Sequence, residues 1–237
     1  MKFEVVGNSH AATLPGAPPC GNMVPKQRHK PEGRGFTDVN PVYPFRAWYL
    51  GPALAYNFYE HHLKKVYSFI NEFPEIFNDK NTMILMQVGE IDCRAHLPRY
   101  VNKNRDVSNV VEECIDRYHR SILDLKDKGF NVAVAGAQPS LNDEIIKKRM
   151  PAEERETDVS GTTELRGKIC KHWDSYHSFL CEQQDIPYIS IYEHLIDKNG
   201  AGKEELFSDF IHLSYEKTIN FWIDSFKRKG IIIAQID

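Results

Sequence analysis

The stretch FEVVGNSH, residues 3–10, decides how the fold of this chain is interpreted. Its apolar part, residues 3–6, is rich in β-branched side chains and stops abruptly at Gly7-Asn8-Ser9, a pattern that predicts a buried strand running into a turn. In open α/β sheets, ligands bind at the carboxyl ends of the strands, where this turn places Ser9. Ser9 is therefore a candidate nucleophile, and the alternative is a turn with no chemical role.

The composition excludes several classes of protein. The 237 residues are 41% hydrophobic and 27% charged, as in ordinary globular domains. The net charge of −3 gives no indication of a nucleic-acid partner. We find no apolar run long enough to span a membrane and no signal peptide. We therefore expect a single domain, residues 1–237, with no nucleic-acid partner and no membrane span.

The cysteines indicate a reducing compartment. They form an odd, scattered set without a CxxC pair, which favours reduced thiols and a cytosolic chain. Neither Cys93 with His96 nor Cys170 with His172 and His177 has the spacing of a zinc site. We expect no metal and no cofactor, and the sequence does not indicate the oligomeric state. The five cysteines are Cys20, Cys93, Cys114, Cys170 and Cys181.

Strands and helices are predicted to alternate along the chain. Apolar runs predict strands at residues 3–6, 47–50, 82–88, 131–137 and 188–192, with an edge strand at 231–233. Helical periodicity and capping residues predict helices at residues 61–77, 108–128, 164–183 and 214–227. This alternation predicts an α/β protein with a parallel sheet of about five strands and helices on both faces.

Two segments interrupt this pattern. A Pro/Gly-rich insertion at about residues 11–46 contains too many helix breakers for a long helix. Its basic centre, residues 26–30, either faces an anionic group or is a solvated loop. A charged segment at about residues 142–163 is interpreted as a mobile excursion from the domain.

Asp209 and His212 provide the partners that a nucleophilic serine needs. A serine hydroxyl is a weak nucleophile near neutral pH unless a base accepts its proton and a carboxylate orients that base. A spacing of three residues in a loop that enters a helix lets the Asp209 carboxylate reach Nδ1 of His212 while Nε2 points at Ser9.

The turn at residues 89–94, directly after the predicted strand of residues 82–88, carries three charged side chains. Buried charges are costly unless they are paired, so we expect this turn to line a cleft or the surface. Glu90 and Asp92 could act as an acid/base pair, or Asp92 could bind loop amides while Arg94 pairs with Glu90. Cys93 is an alternative candidate nucleophile to Ser9, because the neighbouring Arg94 would lower the pKa of its thiol.

These residues together resemble the SGNH (GDSL-like) hydrolases. Members of that family carry Gly-Asp-Ser after the first strand, a glycine after the second, Gly-x-Asn-Asp after the third and Asp-x-x-His near the C-terminus. The resemblance implies a flavodoxin-like, three-layer α/β/α fold. The corresponding blocks of this chain, in the same order, are Gly7-Asn8-Ser9-His10, Gly51, Gly89-Glu90-Ile91-Asp92 and Asp209-Phe210-Ile211-His212.

The resemblance also implies the roles of the residues. Ser9 would be the nucleophile, His212 the base and Asp209 the acid that orients it. The backbone amides of Ser9 and Gly51 would donate to the oxyanion. The implied substrates are acyl esters, often acetyl groups on carbohydrates.

The chain departs from the family at two positions. Asn8 replaces an aspartate, and Ile91 replaces an asparagine whose side chain donates to the oxyanion. Losing one such donor typically costs about 2.7–4 kcal/mol of transition-state stabilisation. The candidate replacements are Arg94, which we favour, Asn57 and His10.

The departure at Ile91 keeps other functions open. One is transfer of the acyl group to a sugar hydroxyl by the same residues, and the third block resembles a variant in SGNH-like proteins of bacterial surface-polysaccharide gene clusters. A second is a carbohydrate-binding or assembly module without chemistry. A third is an enzyme that uses a carboxylate or cysteine of residues 90–94.

Overall fold

Five short apolar segments form one parallel sheet. The strands are β1 (Lys2–Gly7), β2 (Phe45–Tyr49), β3 (Thr82–Gln87), β4 (Val132–Ala135) and β5 (Tyr188–Ile189). Their order across the sheet is β2-β1-β3-β4-β5, and every neighbouring pair is parallel. The computed structural model describes residues 1–16, 40, 42–150 and 159–235 of the chain.

Helices connect the strands and cover both faces of the sheet. The α-helices are α1 (Phe58–His61), α2 (Leu63–Glu72), α3 (Pro74–Phe77), α4 (Val107–Asp127), α5 (Asp143–Arg149), α6 (Thr163–Gln183), α7 (Tyr192–Leu195) and α8 (Tyr215–Arg228). Short 3₁₀ helices span Ser9–Ala12, Leu97–Arg99 and Glu204–Leu206, and a π-helical turn spans Asp92–His96. None of the described helices is both long enough and apolar enough to cross a membrane.

Local sequence explains where the two longest helices begin. The Asp106 side chain accepts a hydrogen bond from the Asn109 N–H at 2.9 Å, which fixes the start of α4. The Thr162 side chain accepts from the Leu165 N–H at the start of α6. These two helices pack against each other on one face of the sheet.

Side chains from alternate strand positions divide the core into two layers. Val6 packs on one face with α2, α4 and α6, whereas the preceding Val5 packs on the other face with α8. This alternation is the period of two that a strand imposes on its side chains. The resulting architecture is the three-layer α/β/α fold expected from the sequence, with a five-stranded parallel sheet in the middle layer.

Several predicted boundaries were wrong. The predicted helix at residues 61–77 is divided, because Phe73 leaves the helical conformation before Pro74 begins a new turn. The predicted strand at residues 188–192 ends at Ile189, and Tyr192 begins α7. Residues 231–233 form no strand; Ile231 and Ile233 are buried and Ile232 is exposed without pairing to the sheet.

The structure describes part of each of the two interruptions. The predicted insertion begins with the 3₁₀ helix of Ser9–Ala12 and ends in β2, while residues 17–39 lie outside the described residues. The predicted charged excursion contains α5, which was not predicted. Asn142 caps this helix, and Asp143 accepts a hydrogen bond from the buried Arg166. Residues 151–158 lie outside the described residues.

The described cysteines are free thiols. They are all buried in the core, at Cys93, Cys114, Cys170 and Cys181. Cys20 lies outside the described residues.

Candidate functional site

Ser9, His212 and Asp209 form one continuous hydrogen-bonded chain. The Ser9 Oγ lies 2.8 Å from His212 Nε2, and His212 Nδ1 lies 2.7 Å from Asp209 Oδ2. The His212 ring is almost completely buried, whereas Ser9 is partly exposed. The three side chains grouped from the sequence are therefore in contact, although Ser9 lies about two hundred residues before the other two in the chain.

The backbone around each residue fixes this geometry. Strand β1 ends at Gly7, and Ser9 opens the 3₁₀ helix at its carboxyl end. Asp209 Oδ1 accepts hydrogen bonds from the N–H groups of Ile211 and His212, both at 2.7 Å. The second carboxylate oxygen is thereby left to face the imidazole.

Electrostatics fix the direction of the hydrogen bonds. Burial acts to raise the pKa of Asp209, but hydrogen bonds from His212 and Ile211 outweigh it and lower the pKa below its ordinary value. A charged carboxylate can only accept, so Nδ1 of His212 carries the proton that Asp209 accepts. The Nε2 lone pair then faces Ser9 and can accept the hydroxyl proton.

His10 packs directly against the candidate base. Its ring centroid lies 4.8 Å from that of His212, and its side chain is 2% exposed. His10 Nδ1 lies 3.1 Å from Asn8 Oδ1, and Nε2 lies 3.1 Å from the carbonyl oxygen of Ile211. Burial lowers the pKa of His10 to about 4. The neutral ring therefore serves as a wall of the site at ordinary pH.

Glu90 and Arg94 form a buried ion pair beside His10. Arg94 Nε donates to Glu90 Oε1 at 2.6 Å, and both side chains are about 5% exposed or less. Glu90 Oε2 lies 3.5 Å from His10 Nε2. Burial opposes ionisation of Glu90, but Arg94, His10 and His212 lower its pKa. The ionised Glu90 carboxylate is thus a second negative charge near His212, in addition to that of Asp209.

The surroundings of Asp92 and Cys93 favour structural roles over catalytic ones. Asp92 Oδ2 accepts a hydrogen bond from the Ala55 N–H at 2.8 Å, so the carboxylate holds the loop that follows β2. The Cys93 thiol is 2% exposed, and burial raises its pKa well above the ordinary value. A high pKa opposes the thiolate that a cysteine nucleophile requires.

Three further predicted residues lie around the strand ends. Gly51 follows β2 with a φ of +88°, and its N–H donates to no other residue in the described part of the chain. Asn57 precedes α1, and its Oδ1 is buried without a hydrogen-bond partner. Gly89 has a φ of +119° and packs so closely on Trp173 that a Cβ would lie 2.5 Å from the ring.

Three buried carboxamides beside this cluster were not among the site residues predicted from the sequence. Asn8, Gln87 and Gln138 line a cavity of about 10 Å³ together with His10 and Glu90. Asn8 Nδ2 and both amide atoms of each glutamine have no partner among the described residues. The volume is near the lower limit for one water molecule, about 10–15 Å³. Their positions at the carboxyl ends of β1, β3 and β4 were the available sequence signal.

A second cluster could hold a metal ion. The structure brings His119, His177 and Cys181 together between α4 and α6, with all three buried. The sequence analysis considered His177 only with neighbours on its own helix. His119 comes from a different helix, so spacing along the chain could not identify this group.

Comparisons with solved structures identify the fold. A GDSL-like lipase from Bacteroides thetaiotaomicron is similar with a TM-score of 0.54 and 11% identity, over 97% of this chain and 89% of that chain. The acetyl xylan esterase AlAXEase has a TM-score of 0.51 and 14% identity, over 98% of this chain and 100% of that chain. The C-terminal domain of Drosophila Oskar has a TM-score of 0.50 and 11% identity, over 95% of this chain and 88% of that chain.

The chain has the SGNH (GDSL-like) hydrolase fold. The resemblance that the sequence motifs indicated is confirmed at this level. No family model matches the sequence, and the comparison with curated proteins gave no match.

Proposed function

We propose that the protein is a serine-dependent esterase that removes an acyl group from an acylated carbohydrate. One observation carries the proposal: the hydrogen-bonded chain from Ser9 Oγ through His212 to Asp209, with distances of 2.8 and 2.7 Å. Nucleophile, base and carboxylate in this order are what a serine needs to attack an ester near neutral pH. The carbohydrate part is supported by the similarity to an acetyl xylan esterase.

The reaction begins with attack of Ser9 Oγ on the ester carbonyl carbon. His212 Nε2 takes the hydroxyl proton, and Asp209 stabilises the resulting imidazolium. Collapse of the tetrahedral intermediate releases the alcohol, which takes the proton from His212, and leaves the acyl group on Ser9. His212 then accepts a proton from a water molecule as that water attacks the acyl carbonyl carbon, and the second tetrahedral intermediate collapses, which releases the free acid while His212 returns the proton to Ser9 Oγ.

The oxyanion is stabilised by fewer donors than in the related family. The backbone amides of Ser9 and Gly51 are the proposed donors, and Ile91 offers no side-chain donor at the third position. Arg94 was the favoured replacement, but its guanidinium is hydrogen-bonded to Glu90. A missing donor is worth about 2.7–4 kcal/mol, so we expect slow turnover of simple esters.

Glu90 compensates for part of this loss by acting on the base. Its buried charge favours the protonated form of His212, which accumulates in the transition state. His10 lies between the two groups, 3.5 Å from Glu90 and with its ring against that of His212. An electrostatic interaction between buried groups is stronger than one in water.

Hydrolysis of p-nitrophenyl acetate tests the proposal. The wild-type protein is expected to turn over the ester, and Ser9→Ala is expected to retain less than about 1% of that rate. Ser175→Ala, which removes an exposed hydroxyl on α6, is the matched control and should keep full activity. Equal rates for wild type and Ser9→Ala would reject the proposal.

The absence of a donor at Ile91 also favours a second candidate, a carbohydrate-binding module without chemistry. In that case a saccharide binds but no acyl group is transferred to Ser9. A third arrangement uses the same residues to pass the acyl group to a sugar hydroxyl. Adding an acceptor saccharide to the assay distinguishes it, because transfer yields an acylated sugar in place of free acid.

A further inference from the structure

Two helices bring three metal-ligating side chains together in a part of the core that the proposed reaction does not use. His119 comes from α4, and His177 and Cys181 come from successive turns of α6. One ligand atom from each lies within 4.8 Å of the others. The side chains are 5% exposed or less, so the cluster is shielded from solvent.

The imidazoles in this cluster lack hydrogen-bond partners. Both ring nitrogens of His119 and both of His177 are buried without a partner among the described residues, as is the hydroxyl of the adjoining Tyr118. A neutral imidazole has one donor and one acceptor, and each buried group left unsatisfied costs about 1–3 kcal/mol. Four unsatisfied nitrogens at one point in the core therefore require a partner.

The protonation states suit a metal ion. Burial lowers the pKa of His119 and lowers that of His177 well below the ordinary value, so both rings are neutral and present a free lone pair. Burial raises the pKa of the Cys181 thiol to about 12. The thiol is therefore protonated until a metal displaces its proton.

We propose that His119, His177 and Cys181 bind a single zinc ion. Two imidazoles and a thiolate are a donor set that zinc prefers, whereas calcium and magnesium prefer oxygen. Zinc binding breaks the S–H bond of Cys181, releases that proton to solvent and forms a Zn–S bond with no change in oxidation state. The fourth position takes a water molecule or the Tyr118 hydroxyl.

The distances allow this site to close. With Zn–N bonds of about 2.0–2.1 Å and a Zn–S bond of about 2.3 Å, tetrahedral ligand atoms lie roughly 3.3–3.8 Å apart. The ligand atoms of the three side chains lie within 4.8 Å of one another, so binding of the ion requires side-chain movements of about 1 Å. Rotation about χ angles within the two helices provides such movements without a change of backbone.

The ion would act as a structural clamp. It would tie α4 to α6, and α6 carries Trp173, which packs against Gly89 at the end of β3. Zinc would thereby stabilise the wall behind the Glu90 turn without contacting the ester. Removal of zinc should lower the melting temperature and leave any initial rate measured at low temperature unchanged.

Metal content and cobalt spectroscopy test the site on the full chain. After incubation with zinc sulfate and extensive dialysis, the wild-type protein should retain one zinc ion per chain. Replacement by Co²⁺ should give the near-ultraviolet absorption of a cobalt–thiolate bond. Both signals should be lost in Cys181→Ser and kept in Cys170→Ser, a matched control that removes another buried thiol of α6.

The pH dependence of binding provides a second measurement. Because one thiol proton is released, the apparent zinc affinity should rise about tenfold per pH unit between pH 6 and 8. Absence of retained zinc and of a cobalt–thiolate band in the wild type would overturn the proposal, even if the variants fail to fold. Equal loss of zinc in Cys181→Ser and Cys170→Ser would also overturn it. These results are independent of esterase activity.

Discussion

At the scale of single residues, the site contains two carboxylates with different tasks. Asp209 contacts His212 directly and fixes the tautomer of its ring. Glu90 makes no direct contact with His212; its carboxylate is held ionised by Arg94, and only the proposed reaction gives it a role. The sequence motifs indicated the first carboxylate, because spacing within one loop determines the contact. The second depends on the packing of His10 between separate elements, which spacing does not reveal.

Replacing Asp209 tests the tautomer. In Asp209→Asn the oxygen can still accept from the backbone, but the amide would present its NH₂ group to Nδ1 and move the ring proton to Nε2. His212 could then no longer accept from Ser9, and kcat for p-nitrophenyl acetate should fall about 10²–10⁴-fold at pH 7. A loss smaller than about threefold, with circular dichroism unchanged, would contradict this role.

Replacing Glu90 tests the remote charge. Glu90→Gln removes a buried negative charge that stabilises the imidazolium of the transition state, so kcat for p-nitrophenyl acetate should fall about 3–10-fold with KM little changed. Glu112→Gln, which alters a half-exposed pair with His172, should leave kcat unchanged. A kcat for Glu90→Gln equal to that of the wild type would contradict the role of this charge.

At the scale of secondary-structure elements, alternating apolar runs were sufficient to predict the five strands and the long helices. Their ends were less predictable, because tertiary contacts decide them. Residues 231–233 have the composition of a strand but bury two isoleucines without joining the sheet. Helix α5 was missed although Asn142 is a local capping signal; a contact from another element, Arg166 to Asp143, adds to its stability.

The contact between β3 and α6 depends on the absence of a side chain at Gly89. Gly89→Ala would place a Cβ 2.5 Å from the Trp173 ring, in a backbone conformation with φ +119°. We expect the free energy of unfolding to fall by about 2–4 kcal/mol, from strain and overpacking together. Gly129→Ala, also at positive φ but facing open space, should lose only about 1 kcal/mol. Equal losses in urea unfolding would contradict the contact.

At the scale of the whole molecule, the sheet brings distant residues to one edge. Ser9, Gly51 and the turn at residues 89–94 follow β1, β2 and β3, and the loop of residues 209–212 meets them there. The order of the motifs along the chain was therefore enough to predict that Ser9, His212 and Asp209 come into contact. The partnerless carboxamides and the His119 cluster emerge only when helices and strands pack together.

The buried histidines give the molecule a pH-dependent stability. Burial lowers the pKa values of His10, His119 and His177 below the ordinary 6.5, so the unfolded chain binds protons that the folded chain does not. Stability should therefore be unaffected by these groups above about pH 6.5 and fall as the pH decreases below it. Each histidine contributes at most about 1.4 kcal/mol per pH unit.

Urea unfolding with a chelator present checks this effect. The free energy of unfolding should fall from pH 6.5 to 4.5, and His177→Phe should make the decline shallower. His172→Asn, at a partly exposed position on the same helix, should leave it unchanged. A decline of the same slope in His177→Phe and in the wild type would contradict the assignment.

Covalent labelling by a fluorophosphonate probe reports directly whether Ser9 is an activated nucleophile. We expect modification at Ser9, located by peptide mass spectrometry, because His212 activates only this hydroxyl. Labelling should be lost in His212→Ala and retained in His172→Asn. No labelling of the folded wild type, or labelling that survives in His212→Ala, would contradict the claim that Ser9, His212 and Asp209 form a working nucleophile.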